Sequence, residues 1–394
     1  MADHNRPYGV GLAYRPEIHQ TMMRHRHLFD MLEIAAIDYT VRGWRILNDP
    51  TEKLLREAVE HYPSCVHATS MSIGSVEDHD QGDVNRTLKL MDDHNIVSFS
   101  EHLAFHRMDG LDLKSFLPMP FDSVSVDWVA RKYNAIRSRL SRPFALENVS
   151  YLVDIPDSEM DEADFLLELT RRTDCMLLLD VTNVFNNASN FGYDPYEFIR
   201  RLPGDRIEQL HIAGGHLEDG QWIDSHSAPV MDGVWGLLDE TLKCTAAEVV
   251  ILEKDINFLP FETISADLKK MHEIFYRNRP RQPDPGPSPS ERVAPCDHPV
   301  NPIEPDNPEF ADLRSFQRAM IKMITDKPYR RQVLDNPGTV QQLFPMSDKW
   351  QQRLIGCSRR HYDSMASGWR FSQRQAAERD ADVKRKEWRA WSGV

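Results

Sequence analysis

The sequence predicts an eight-stranded (β/α) barrel of the TIM-barrel type, followed by a small, mainly helical C-terminal domain. Three observations predict this fold. Short β-rich runs alternate with amphipathic stretches over about 270 residues, which is the length and rhythm of such a barrel. No GxGxxG motif follows the first run, as a dinucleotide-binding open sheet would require. A Pro-rich segment then separates the barrel from a region with helical periodicity.

Each barrel strand is predicted from a short run of apolar and β-branched residues. The eight predicted strands are Gly9–Tyr14, Met31–Ala35, Cys65–Met71, Val97–Ala104, Phe144–Val149, Met176–Asn183, Glu208–Ala213 and Val249–Lys254. Between them the clearest predicted helix is Asp49–Tyr62, where Leu54, Leu55 and Val59 recur at helical spacing behind an Asp/Thr start. The other predicted helices of the barrel cover residues 83–94, 125–140, 160–172, 194–202 and 261–275.

Proline and glycine concentrate in residues 279–305, which contain almost no apolar side chains. Because proline fits neither a helix interior nor a sheet ladder, this segment predicts an extended, poorly packed linker. It divides the chain into a barrel domain, residues 1–278, and a C-terminal domain, residues 306–394. In the second domain an apolar stripe over residues 310–324 is typical of a small helical bundle with its own core, or of a docking surface.

The formal net charge of −14 is unevenly divided along the chain. Residues 306–394 carry 17 Lys and Arg against 11 Asp and Glu, so the C-terminal domain is basic and the barrel strongly acidic. An acidic barrel argues against nucleic-acid binding, which depends on neutralising phosphates. The sequence has no apolar run of membrane-spanning length and no secretory signal pattern, which predicts a cytoplasmic protein without a membrane partner. The five cysteines form no CxxC pair, so neither a disulfide framework nor a thiolate metal site is expected.

Metal-binding side chains recur at the ends of the predicted strands, within otherwise apolar runs. Burying such groups is costly unless they are paired or bound to a cation. Because the carboxyl ends of all barrel strands meet at one mouth, residues far apart in sequence are expected to meet there. From the third strand to the eighth, the candidates are His67, Glu101, His102, His106, Glu147, Asp180, Asn183, His211, His216, Asp224, His226, Glu253 and Asp255.

A single histidine in a strand is more often a hydrogen-bonded core or surface residue than a ligand. The recurrence of such residues at equivalent strand ends favours a metal site instead. A mixture of imidazoles and carboxylates suits iron, zinc or manganese better than calcium or magnesium, which prefer oxygen ligands alone.

Several longer motifs resemble one family and occur in its order: GVGLAYRPEIH, HATSMSIGS, SEHLAFH, LENVSYL, LDVTNVFNNASNFGYDP, QLHIAGGH, WIDSHSAPVMDGVWGLL and ILEKDINFLPF. The family is that of the multinuclear non-haem iron-dependent oxidases, which includes the iron enzyme of methanobactin biosynthesis and is related to the xylose isomerase-like barrels. The resemblance covers about residues 7–278.

Carried over position by position, the resemblance implies three metal positions. The first ion would be held by His67, His102 and Glu147. The second would be held by Glu147, Asp180, His211 and Glu253, and the third by Asn183, Asp224 and His226. Catalysis is expected to centre on Glu147, Asp180 and His211. Four further residues are expected to orient ligands or to guide protons: Glu33, His106, His216 and Asp255.

The resemblance also implies the reaction and its partners. The expected activity is iron- and O₂-dependent oxidation of a ribosomally synthesised precursor peptide, at cysteine or at a C-terminal residue, in natural-product biosynthesis. The expected cofactors are two or three iron ions, as Fe(II) and Fe(III), with O₂ as co-substrate. Family members work with a leader-binding partner protein, and here either such a partner or the C-terminal domain, acting in cis, is expected to fill that role. Two alternatives stay open: a zinc- or manganese-dependent hydrolase or isomerase, and a non-catalytic metal-binding scaffold.

Overall fold

The computed structural model describes residues 7–40, 50–78, 80–96, 98–258, 260–280, 287–294, 307–370 and 372–374. Its strands, in chain order, are β1 (Gly9–Tyr14), β2 (Met31–Ala35), β3 (Ser64–Ala68), β4 (Ser98–His102), β5 (Phe105–Met108), β6 (Leu111–Leu117), β7 (Ala145–Glu147), β8 (Met176–Asp180), β9 (Ile207–Ile212), β10 (His216–Glu218), β11 (Gln221–Ile223) and β12 (Val249–Leu252).

Eight of these strands close into a parallel barrel in the order β1-β2-β3-β4-β7-β8-β9-β12, with β12 pairing back to β1. The other four form two antiparallel hairpins, β5–β6 and β10–β11, which follow β4 and β9. Strand burial is nearly complete, as expected for parallel strands enclosed by helices. The predicted fold class, a (β/α)₈ barrel with a helical C-terminal region, is confirmed.

Fifteen α-helices with defined bounds surround or follow the barrel in the described part of the chain. They are α1 (His19–Arg24), α2 (Ile37–Thr40), α3 (Pro50–His61), α4 (Gln81–His94), α5 (Ser123–Arg137), α6 (Glu162–Arg172), α7 (Val181–Phe191), α8 (Pro195–Arg201), α9 (Asp232–Cys244), α10 (Phe261–Asn278), α11 (Pro289–Arg292), α12 (Pro308–Thr325), α13 (Lys327–Asp335), α14 (Thr339–Leu343) and α15 (Asp348–Gly356). Residues 359–370 are also helical. Among these residues no helix has the length and apolar character needed to cross a membrane.

Aspartate begins many of the barrel helices. The carboxylate accepts a hydrogen bond from a free amide of the first turn, which stabilises the helix start. The helices α4 to α8 begin in this way, at Asp80, Asp122, Asp161, Asp180 and Asp194.

The predicted strands coincide with the observed ones, but several ends differ. The sixth, predicted as Met176–Asn183, ends at Asp180 because the Asp180 side chain accepts from the Asn183 amide and starts α7. Helices α7 and α9 and both hairpins are absent from the prediction. Asp49 and Val97, at two predicted boundaries, lie outside the described residues.

Part of the Pro-rich segment packs against the barrel, contrary to the expectation of a poorly packed linker. Ser288 and Glu291 form a capping box that starts the short helix α11. Val293, just beyond it, packs against Ala145, Met176 and Leu178 of the barrel strands. These residues give the segment the apolar contact that its composition alone does not suggest. Residues 281–286 and 295–306 of the segment lie outside the described part of the chain.

The C-terminal helices share one hydrophobic core with the barrel. Phe310 of α12 packs against Trp128 of α5, with ring centroids 5.4 Å apart. Leu313, Phe316 and the rest of the apolar stripe belong to the same continuous buried cluster as the outer faces of the strands. The C-terminal helices also pack on one another, since Phe316 of α12 contacts Trp350 of α15 with ring centroids 5.3 Å apart, so their core is continuous with that of the barrel. Residues 375–394 of the predicted domain are not described.

Candidate metal centre

The barrel interior is apolar towards the amino ends of the strands and polar at their carboxyl ends. Alternate residues of a strand share one face, so Met176, Leu178 and Asp180 of β8 line the interior in succession. On β12 and just beyond it, Val249 and Ile251 are followed in the same way by Glu253. On β3, β4, β7, β8 and β9, and just beyond β12, the last interior position carries a polar group, and these groups converge at one mouth.

The first cluster of potential ligands joins three neighbouring strands. It consists of His67 on β3, His102 on β4 and Glu147 on β7. The Nε2 atoms of His67 and His102 lie 3.4 Å apart, and each lies 3.2 Å from Oε2 of Glu147. Three ligand atoms that face one another at such distances are suited to a single ion between them.

The second cluster shares Glu147 with the first. It adds Asp180 at the end of β8, His211 on β9 and Glu253 after β12. Nδ1 of His211 lies 3.1 Å from Oε1 of Glu147 and 3.1 Å from Oε2 of Glu253. Because Glu147 presents one oxygen to each cluster, its carboxylate is placed to bridge two ions.

Asn183, Asp224 and His226 lie beside the second cluster. Nε2 of His226 is 3.0 Å from Oδ1 of Asp224 and 3.7 Å from Oε2 of Glu253. The amide of Asn183 donates to the carbonyl of Asn148, which leaves its Oδ1 as the inward-facing atom. His226 has φ of +50°, a conformation that costs energy for a non-glycine residue and is concentrated at functional sites.

Each of the four histidines is held through the ring nitrogen that faces away from its cluster. His67 Nδ1 bonds Ser100 Oγ at 2.8 Å, and His102 Nδ1 bonds a backbone carbonyl, that of Ala68, at 3.1 Å. Such partners fix the orientation and tautomer of a ligating imidazole.

The other two histidines pair with carboxylates. His211 Nε2 lies 2.9 Å from Oε2 of Glu33, and His226 Nδ1 lies 3.0 Å from Oδ2 of Asp255. Asp255 is in turn bound by Arg15. A carboxylate on the outer nitrogen also makes the inner nitrogen a stronger metal ligand.

Several buried polar atoms in this centre have no hydrogen-bond partner. Unpaired buried polar atoms are rare and call for an explanation. Here they are the inward-facing atoms Glu147 Oε2, Asp180 Oδ2, Asn183 Oδ1, His211 Nδ1, Asp224 Oδ1 and His226 Nε2. Divalent cations bound between these atoms would satisfy them, so the side chains fit a multinuclear metal centre.

The charged groups of the centre shift the pKa values of its carboxylates. Burial raises the pKa of Glu147, but the imidazoles of His102 and His211 outweigh it and hold that pKa well below its usual range. Burial together with the Asp224 carboxylate raises the pKa of Asp180 well above its usual range. Without a metal ion, a proton on a carboxyl group with a raised pKa offsets negative charge that bound cations would otherwise offset.

The pKa values of three imidazoles in the centre are raised by the neighbouring carboxylates. Burial opposes a charge on His102, but the carboxylate of Glu147 raises its pKa to about 9. The pKa values of His211 and His226 are raised well above the usual range, against burial, by nearby carboxylates of which Glu253 is common to both.

The structure brings nine predicted ligand residues together but separates two of the four predicted supporting residues from them. His216 lies on the exposed hairpin strand β10 and bonds Ser225 and Glu218. His106 is buried and bonds Asp112, with Phe116 between its ring and that of His102.

Sequence reasoning named Glu101 among the candidates without giving it a role in the centre, and it did not name Ser100 or Arg15. Ser100 and Arg15 act through the ligands or their partners described above. Glu101 is buried and accepts from the backbone amide of His102. Ser100 could have been found from its place on β4, because it lies two residues before His102 and beside His67 of the neighbouring strand β3. No local signal marks Arg15.

The sequence profile of a family described as "RiPP precursor modification enzyme MbnB/TglH/ChrH" matches residues 9–276. A UPF0276 protein of Nitrosospira multiformis is 36% identical over 261 residues, which is 66% of this chain and 90% of the relative. A UPF0276 protein of Pseudomonas aeruginosa is 35% identical over 251 residues, 63% of this chain and 86% of the relative. Among solved structures, endonuclease IV from Thermus thermophilus aligns with a TM-score of 0.44 and 14% identity, covering 69% of this chain and all of that one.

Proposed function

The chain belongs to the MbnB/TglH/ChrH family of RiPP precursor modification enzymes, and we propose that it is an iron- and O₂-dependent oxidase that modifies a ribosomally synthesised precursor peptide. The observation that carries the proposal is the convergence of unpaired, buried carboxylate, amide and imidazole atoms at the barrel mouth. A mixed nitrogen and oxygen donor set without thiolates suits redox-active iron.

Two or three iron ions would be held by the side chains of the centre. The proposed ligands of the first are His67, His102 and Glu147, and those of the second are Glu147, Asp180, His211 and Glu253. Asn183, Asp224 and His226 are the proposed ligands of a third. Iron bound there would supply Lewis acidity and electrons for a reaction with O₂.

The protein's own groups prepare this site. Glu33 and Asp255 hold the imidazoles of His211 and His226 in fixed tautomers. Glu147, placed between two clusters, would be a ligand of both the first and the second ion, and it is the proposed centre of catalysis together with Asp180 and His211. The apolar interior below the centre keeps water away from one side of it.

The proposed substrate is a precursor peptide, and the C-terminal region is the proposed site of leader recognition. The region over residues 306–394 is basic, so an acidic leader segment fits it by charge. Binding that depends on this charge should weaken as ionic strength rises.

The test combines metal analysis with peptide mass spectrometry. Protein purified without oxygen should contain iron and should consume O₂ when a co-expressed precursor peptide is supplied, and the peptide should change in mass. Glu147→Ala and Asp180→Ala should lose both metal and modification, whereas His61→Ala, which removes an exposed imidazole on α3, should retain both. Zinc without O₂ uptake would favour a hydrolase or isomerase. Unchanged modification by Glu147→Ala and Asp180→Ala would refute the assigned metal centre.

A further inference from the structure

We infer that Gln317, in the C-terminal helix α12, is a positioning residue for the metal centre. It supports the segment that follows β3, residues 69–78, here called the β3 loop. That loop in turn holds Glu101 and His102 at the end of β4. The inference rests on the proposed metal site but not on the oxidation chemistry.

Gln317 binds the backbone of the β3 loop with both ends of its amide. Its Oε1 accepts from the Val76 amide at 2.8 Å, and its Nε2 donates to the Gly74 carbonyl at 2.7 Å. The side chain is fully buried. Loss of the amide would leave a buried donor and a buried acceptor unpaired, which is more costly than the bonds themselves are stabilising.

The β3 loop is connected to a proposed metal ligand through Glu101. One oxygen of the buried Glu101 carboxylate accepts from the Met71 amide of the loop at 3.0 Å, and the other accepts from the His102 amide at 2.8 Å. The His102 ring is also held by the carbonyl of Ala68, immediately before the loop. The position of His102 therefore depends on the loop at two points.

The loop has little room to settle elsewhere. Lys132 Nζ donates to the carbonyls of Ser72 and Ser75, and Trp128 Nε1 donates to the same Ser75 carbonyl. At Gly74 an added Cβ would lie 2.1 Å from Met119 Sδ and 2.9 Å from a backbone carbon. The loop is thus held tightly, by α5 on one side and by Gln317 of α12 on the other.

A matched control exists within the C-terminal helices. Like Gln317, Gln341 binds backbone groups with both ends of its side-chain amide. Its Nε2 donates to the Met346 carbonyl at 2.6 Å, and its Oε1 accepts from the Met346 amide at 3.2 Å. Its further bond is to Gln351, also in the C-terminal helices. Gln341→Leu removes the same chemistry as Gln317→Leu without contact with the β3 loop.

The experiment titrates the metal-free, full-length variants with Co(II) under nitrogen and follows the visible spectrum. Gln317→Leu should weaken one Co(II) equivalent by about ten-fold or more, as loss of support for a ligand usually does. The remaining equivalents should be unchanged. Gln341→Leu should bind every equivalent as the wild type does. Amide exchange of the β3 loop in the metal-free protein should be faster in Gln317→Leu only.

Gln317→Glu provides a second variant that keeps the shape of the side chain. It retains the acceptor for the Val76 amide, and its carboxyl, when protonated, also donates to the Gly74 carbonyl, so we expect an affinity between those of Gln317→Leu and the wild type. Wild-type affinity in Gln317→Leu, or an equal loss in Gln341→Leu and Gln317→Leu, would overturn the inference. Because neither O₂ nor peptide is present, a protein that binds metal but modifies no peptide would contradict only the proposed function.

Discussion

Metal loading of this protein should release several protons. In the metal-free state the pKa of His102 is about 9, and those of His211 and His226 are raised well above the usual imidazole value by surrounding carboxylates. His102 is therefore mostly protonated at neutral pH, and the shifts of His211 and His226 favour their protonated forms in the same way. A metal binds only the neutral form, so each must lose its proton as an ion enters.

The release of these protons makes the metal affinity depend on pH. Affinity should rise as the pH is raised towards about 9, because fewer protons remain to be displaced. Each released proton corresponds to about 1.4 kcal/mol per pH unit. His102 alone gives about ten-fold in affinity per pH unit between neutral pH and about 9. His211, His226 and Asp180, whose pKa values are also raised, add to this dependence in the same direction.

Calorimetric titration with Zn(II) or Co(II) at pH 7, in buffers of different ionisation enthalpy, counts the protons released. Glu33→Gln removes a carboxylate that raises the pKa of His211, so it should release fewer protons than the wild type. His61→Ala should release the same number. A binding heat that does not depend on the buffer would refute the reasoning, because the imidazoles would then already be neutral.

Two further predictions concern partners outside the ligand set. Arg353→Leu leaves the buried carboxylate of Asp122 without its cation and should destabilise the protein by about 3–5 kcal/mol in urea unfolding. Adding Asp122→Asn, which still caps α5, should recover part of this loss, and no recovery would argue against the pair. Asp255→Asn should weaken one metal equivalent about 10- to 100-fold by loosening His226, while equal weakening of every equivalent would contradict a local role.

Much of the metal centre could be predicted because its signal lies within single strands. In β8 and β12 apolar interior residues are followed by one acidic residue at or just past the end, and that pattern is visible in the sequence. The end of β8 was harder to predict from the sequence. Asp180 both ends the strand and caps the next helix, and a propensity scale does not register the second role.

The contacts that support the centre could not be predicted in this way. Gln317 and Val76 are separated by 241 positions, and Arg353 and Asp122 by 231. Gln317 is the one polar residue within the apolar stripe, which marks it as inward-facing but does not identify its partner. Its role is set by the tertiary packing of α12 against α5, which places a polar residue of an apolar stripe against a buried loop.

Contacts between the C-terminal helices and the barrel mouth connect the proposed leader site with the proposed metal centre. Besides Gln317, the C-terminal helices bind the β5–β6 hairpin through Arg318, the start of α5 through Arg353, and the turn of the β10–β11 hairpin through Arg360. All of these segments follow the carboxyl ends of barrel strands, where the proposed metal ligands also lie. Deleting the C-terminal region would therefore remove the proposed leader site and the support of the barrel mouth together. Point variants that separate the two, such as Gln317→Leu beside Gln341→Leu, are needed to assign either role.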